Sequence, residues 1–152
     1  KIAAYFSDRK VLVKIKSSRR QDGSCDNIVE ALKNAPANIE ETFDDTYDLF
    51  LRASYALVDG STVAAEAIQF QVKTFVFDLN KRLKYYYYRD FPSLCVETAD
   101  DIIARIDAIE TKKEPYPWEN YKDLITMPET NIIDIIRQDI GLGPLSQRAS
   151  ST

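Results

Sequence analysis

The stretch Tyr55-Ala-Leu-Val-Asp-Gly-Ser-Thr-Val-Ala-Ala-Glu-Ala-Ile68 constrains this chain more than any other part. A short apolar run reads as a buried strand. A turn of small hydroxylated residues follows, and then a run of good helix formers carrying one carboxylate. Such a junction builds a polar pocket at the carboxyl edge of a sheet. Backbone N–H groups of the turn point into it, and an anion can sit on the positive end of the helix.

The surrounding segments repeat the alternation. Val11-Leu-Val-Lys-Ile-Lys16 places Val11, Val13 and Ile15 on one side and predicts a strand. The polar segment 17–24 predicts a loop. Asp26 or Ser24 is expected to cap a helix in which Ile28, Val29 and Leu32 share a face. Residues 39–43 predict a short strand. Asp44 or Asp45 is then expected to cap a helix with Tyr47, Leu49, Phe50 and Ala53 as its apolar stripe. Residues 74–77 and 94–96 predict two more strands. Thr98, with Asp101 three residues on, predicts the entry to a long helix striped by Ile102, Ile103, Ile106 and Ile109. The prolines at 115, 117 and 128 predict an irregular segment from which Trp118, Tyr121, Leu124 and Ile125 can pack onto a neighbour. A last helix is expected over 131–140, stopped by Gly141-Leu-Gly-Pro144.

Alternating strands and helices predict an α/β fold: a three-layer Rossmann-like domain with a parallel sheet of about five strands. Residues 1–145 would form this single domain, and 146–152 a disordered tail. Ligands of such sheets sit at the carboxyl ends of the strands, where strand order reverses.

Composition narrows the chemistry. A chain of 152 residues suits one domain with a sizeable core, and a net charge of −4 gives no electrostatic footprint for nucleic acid. There is no histidine, so any catalysis must rest on carboxylates, Lys, Tyr, Cys or backbone dipoles. Cys25 and Cys95 match no metal spacing and are expected as free thiols of a cytoplasmic protein. No signal peptide is visible, and no apolar run approaches the ~20 residues of a spanning helix.

Gly60, Ser61 and Thr62 can be a diphosphate-binding turn or an ordinary helix cap. Glycine allows close backbone approach, and the hydroxyls supply donors. Glu66, about one helical turn beyond Thr62, can accept hydrogen bonds from a ribose diol, or can be a solvent-facing helix residue. Its small apolar neighbours Ala64, Ala65 and Ala67 favour a carboxylate with a partner. Lys14, with Lys16, Arg19 and Arg20, can approach the same cleft, although the two arginines read more simply as solvated. In Tyr85-Tyr-Tyr-Tyr88, rings can stack on a base or sugar while at least two pack on the core; Arg89 can meet phosphate. Asp44, Asp45 and Asp48 read as capping and surface residues, not as a metal cluster.

These residues resemble a known family. Asp59-Gly-Ser-Thr-Val-Ala-Ala-Glu-Ala67 after a strand, followed by Lys73-Thr-Phe-Val-Phe77, is similar to the C-terminal, donor-binding domain of GT-B-fold enzymes. Bacterial surface-polysaccharide glycosyltransferases and UDP-GlcNAc 2-epimerases are the nearest groups. The resemblance covers roughly residues 11–110. It implies a nucleotide-diphosphate sugar as partner, with Gly60, Ser61 and Thr62 on the diphosphate, Glu66 on the ribose, and Lys14 and Arg89 as further substrate-binding residues. Transfer would need no metal and no other cofactor. The catalytic base would come from an N-terminal acceptor domain, of which this chain would be the other half. Peripheral membrane association of the full enzyme is left open. One departure is Lys14-Ile-Lys-Ser-Ser18, where many relatives carry His-Pro. A sugar-nucleotide epimerase and a non-catalytic α/β binding module are the alternatives.

Overall fold

Among the described residues five short strands form, and every pairing between them is parallel. The computed structural model describes residues 1–77 and 87–124, with the side chains of 87, 89 and 122–124 outside the description. In chain order the elements are α1 (Ile2–Tyr5), β1 (Val11–Val13), α2 (Ser17–Gln21), α3 (Asp26–Lys33), β2 (Ile39–Glu41) and α4 (Thr46–Phe50). There follow β3 (Tyr55–Val58), α5 (Val63–Gln69), β4 (Lys73–Phe77), β5 (Cys95–Val96) and α6 (Ala99–Glu110). Single 3-10 helices lie at Tyr87–Asp90 and Trp118–Leu124.

The strands fall into two sheets, β1-β2 and β3-β4-β5. The α/β class and parallel direction agree with the sequence. The single five-stranded sheet does not appear: no ladder joins β1 to β3 among the described residues. Side chains at the amino ends of these two strands nevertheless reach the same residue. Arg9, just before β1, and Tyr55, the first residue of β3, both donate to Glu110 Oε1 at the end of α6. β1 and β3 therefore start at one edge of the molecule.

The core lies around β4. Thr74, Phe75 and Val76 are consecutive and all buried, so both faces of this strand are covered. Ala64 and Ile68 of α5, Leu94 and Val96 around β5, and Ile102, Ile103 and Ile106 of α6 complete it with Tyr116 and Tyr121. Burying an isoleucine of this stripe stabilises the fold by about 1.5–3 kcal/mol. A smaller cluster joins Phe50, Ala67 and Val72.

Helix ends explain several boundaries. Thr98 accepts from the Asp101 N–H while Asp101 accepts from the Thr98 N–H, a complete capping box. Asp45, rather than Asp44, caps α4 through the Tyr47 N–H. Neither Asp26 nor Ser24 caps α3, which starts after Cys25 with no side-chain cap bond. The expected loop 17–24 contains the single-turn helix α2. Helices α5 and α6 both close in Schellman motifs, with Gln71 (φ 58°) and Lys112 (φ 55°) in the left-handed region. The strand β3 is less enclosed than its apolar run predicts, since Leu57 is 46% exposed. The expected helix over 131–140, the tail 146–152 and Tyr85 and Tyr86 lie outside the described residues.

Candidate functional site

The carboxyl ends of β1, β2 and β3 carry most of the polar residues singled out above. β1 ends at Val13, and Lys14 follows immediately. Its Nζ donates to the backbone carbonyl of Asp44 in the β2–α4 loop. Arg52 bonds the Asp44 carboxylate, which it holds below the ordinary range, with lesser help from Thr42 and Lys14. Arg20 is not merely solvated: it pairs with Glu41 at the end of β2 and lies 5.3 Å over the Phe43 ring.

β3 runs into Asp59-Gly60-Ser61-Thr62, and α5 begins at Val63. Gly60 takes no positive φ. The turn differs in detail from a simple cap. Thr62 sits at the N-cap in helical conformation and its side chain makes no cap bond. The Ala64 N–H bonds the Ser61 carbonyl (3.1 Å) and the Ala65 N–H bonds that of Thr62 (3.0 Å). The Ser61 hydroxyl accepts weakly from the Val63 N–H at 3.4 Å. The first-turn amides of α5 are thus occupied, because the helix opens with tight i→i−3 bonds. The amides still without an acceptor among the described residues are one step earlier, on Gly60, Ser61 and Thr62. α5 has only seven residues. Discrete N–H and O–H donors of the turn, more than a helix macrodipole, are what this site offers an anion.

Glu66 is half-buried, and Tyr47 donates its hydroxyl to Glu66 Oε2 at 3.1 Å. The carboxylate thus has a partner, contributed from α4. Tyr47 is not part of a buried stripe. It is 50% exposed, its ring lies 5.5 Å from that of Phe70 in a stacked arrangement, and Phe50 takes the buried position of α4. The Tyr47 phenol is raised above its ordinary value, chiefly by the hydrogen bond to Glu66.

Tyr88 is one ring of the tyrosine run that packs on the core, as the sequence predicts for at least two of the four. It is buried, and its hydroxyl donates to the Ser61 carbonyl at 2.5 Å. One ring of the tyrosine run therefore braces the turn from the protein side. The Arg89 side chain lies outside the described residues. Neither Cys25 nor Cys95 is in a disulfide, and Cys95 Sγ lies 3.4 Å from the Tyr88 carbonyl. Among the described residues no group of three or more His, Cys, Asp and Glu could hold a metal ion. Among them, too, no helix is long and apolar enough to cross a membrane.

Lys14 reaches the loop before α4, and the Tyr47–Glu66 bond ties α4 to α5, the helix that follows the Gly60–Thr62 turn. Chemically, these groups can accept an oxyanion on amides and hydroxyls and a diol on a carboxylate. Comparison with known proteins returns no matching family model, curated protein or solved structure.

Proposed function

We propose that this chain is the donor-binding domain of a GT-B-type glycosyltransferase in bacterial cell-surface polysaccharide synthesis. In this reading the two parallel sheets are the halves of one Rossmann-like layer. The diphosphate of a nucleotide sugar lies over Gly60, Ser61 and Thr62, and its ribose reaches Glu66. Lys14 supplies positive charge beside it. The domain's contribution to catalysis is to hold the departing nucleoside diphosphate on oriented donors, without a metal. The acceptor and the catalytic base belong to a second domain.

One observation supports this reading above the others: three amides in a row after a parallel strand lack acceptors among the described residues, and a half-buried carboxylate stands one helical turn further on. Thermal melting with UDP, CDP, ADP and GDP tests it. A diphosphate at 100 times its dissociation constant should stabilise the chain by ~2.7 kcal/mol. Gly60→Val, which puts a branched side chain where phosphate must approach, should abolish that gain. No stabilisation by any of the four at millimolar concentration would remove the reading.

A further inference from the structure

We infer that Tyr47 is a positioning residue that makes the site selective for ribonucleotides over 2′-deoxyribonucleotides, by fixing the Glu66 carboxylate toward the sugar diol. The inference rests on the nucleotide reading above and adds a specificity-determining residue to it.

The geometry carries it. Glu66 is on α5 and Tyr47 on α4, and an Oη to Oε2 hydrogen bond of 3.1 Å joins them. A glutamate has three rotatable bonds, and one anchored oxygen removes most of that freedom. The anchor is itself held. The Tyr47 ring packs against Phe70, stacked at 5.5 Å, and Phe50, edge-on at 6.2 Å, and those two rings also touch each other at 5.5 Å. Its backbone N–H is bonded to the Asp45 cap at 2.8 Å. A ring so fixed offers its hydroxyl from one direction. Glu66 Oε1 has no donor among the described residues. That leaves one oxygen, with two lone pairs, for a ligand. Vicinal hydroxyls suit such an acceptor, and losing one of them leaves a fixed charged group underused. A site built to hydrogen-bond a hydroxyl discriminates strongly against the analogue lacking it.

Half of the Tyr47 surface is solvent-exposed, so Tyr47→Phe keeps the ring contacts and removes only the anchoring hydroxyl. The test measures binding of UDP, CDP, ADP and GDP and of their 2′-deoxy forms to the full chain and to Y47F, by calorimetric titration. The native chain should prefer the ribo form of its best ligand by about tenfold. Y47F should weaken the ribo form severalfold, leave the deoxy form nearly unchanged, and bring the ratio close to one, with an unchanged melting temperature. A ribo preference that survives Y47F, or equal loss on both sugars, would overturn the inference while leaving the nucleotide site standing. No preference in the native chain would overturn it as well. Absence of binding by the native chain would remove the site reading and the inference together.

Discussion

The Tyr88 hydroxyl donates to the Ser61 carbonyl, tying a buried ring of one segment to the turn between β3 and α5. The two residues are 27 apart in sequence. The Ser61 carbonyl also accepts from the Ala64 N–H. Tyr88→Phe therefore leaves that oxygen partnered and keeps the ring's packing. It should cost about 0.5–1.5 kcal/mol in urea unfolding. It should also loosen the turn, so nucleoside diphosphate affinity should fall in the same variant. A loss of stability with unchanged affinity would make Tyr88 a core residue with no bearing on the site.

Tyr116 substitutes for a missing strand. Its hydroxyl accepts from the Thr74 N–H at 2.9 Å and donates to the Thr74 carbonyl at 2.7 Å. Val76, two residues further along β4 and facing the same way, donates to the Leu94 carbonyl at the start of β5. β5 begins too late to reach Thr74, and the phenol takes its place. Burial pushes the Tyr116 phenol well above its ordinary value, so it stays protonated and can donate. Tyr116→Phe should leave two buried backbone groups without partners and cost about 1–3 kcal/mol, read from the midpoint of chemical denaturation. A change below 0.5 kcal/mol, roughly the size of surface effects, would contradict this role.

The Glu110 carboxyl is held below its ordinary value of 4.5, first by the Tyr55 hydroxyl and then by Arg9. A carboxyl whose folded pKa is depressed contributes stability that is complete above its unfolded pKa. The contribution disappears as pH falls through the lower, folded value. The melting temperature should therefore decline as pH drops below about 4.5. Asp44 and Asp101, also depressed, should add to the decline. Glu110→Gln should have a shallower acid limb than the native chain when melting is followed from pH 7 to pH 3. Parallel curves for the two proteins would show that the Tyr55–Glu110–Arg9 clasp does not persist in solution.

Lys112 terminates α6 in the left-handed region at φ 55°, where a Cβ is strained. Lys112→Gly removes that strain and should raise stability by up to about 1 kcal/mol, net of the greater freedom of glycine when unfolded. Thermal melting of the variant checks it, and destabilisation would mean that the lysine stem contributes packing that outweighs the strain.

Local signals made parts of this structure legible in the sequence. The run Tyr55-Ala-Leu-Val58 matched β3 to the residue, because an apolar run bounded by turn residues admits few readings. α6 was equally plain, since Thr98 and Asp101 cap each other and the isoleucines fall on one face. Four-residue α1 and polar α2 carry no periodicity, and their order comes from the rest of the fold. The helix ends at Gln71 and Lys112 lack the glycine that usually marks them.

At the site, the small-residue turn and Glu66 could be found by spacing, but their partners could not. Tyr47 reaches Glu66 across 19 residues, and Tyr88 reaches Ser61 across 27. Neither tyrosine differs in sequence from a core aromatic. Tyr47 at helical spacing from Phe50 reads as the same stripe, although one ring is exposed and the other buried. Where the hydroxyl points is decided by tertiary packing, which no local pattern encodes.

The central claim is tested most directly by the backbone amide resonances of a 15N-labelled sample titrated with a nucleoside diphosphate. The account predicts saturable shifts largest at Gly60, Ser61 and Thr62, with smaller shifts at Lys14 and Glu66 and little change at Thr98 to Glu110. Shifts that leave the Gly60–Thr62 amides unmoved, while those elsewhere respond, would contradict it.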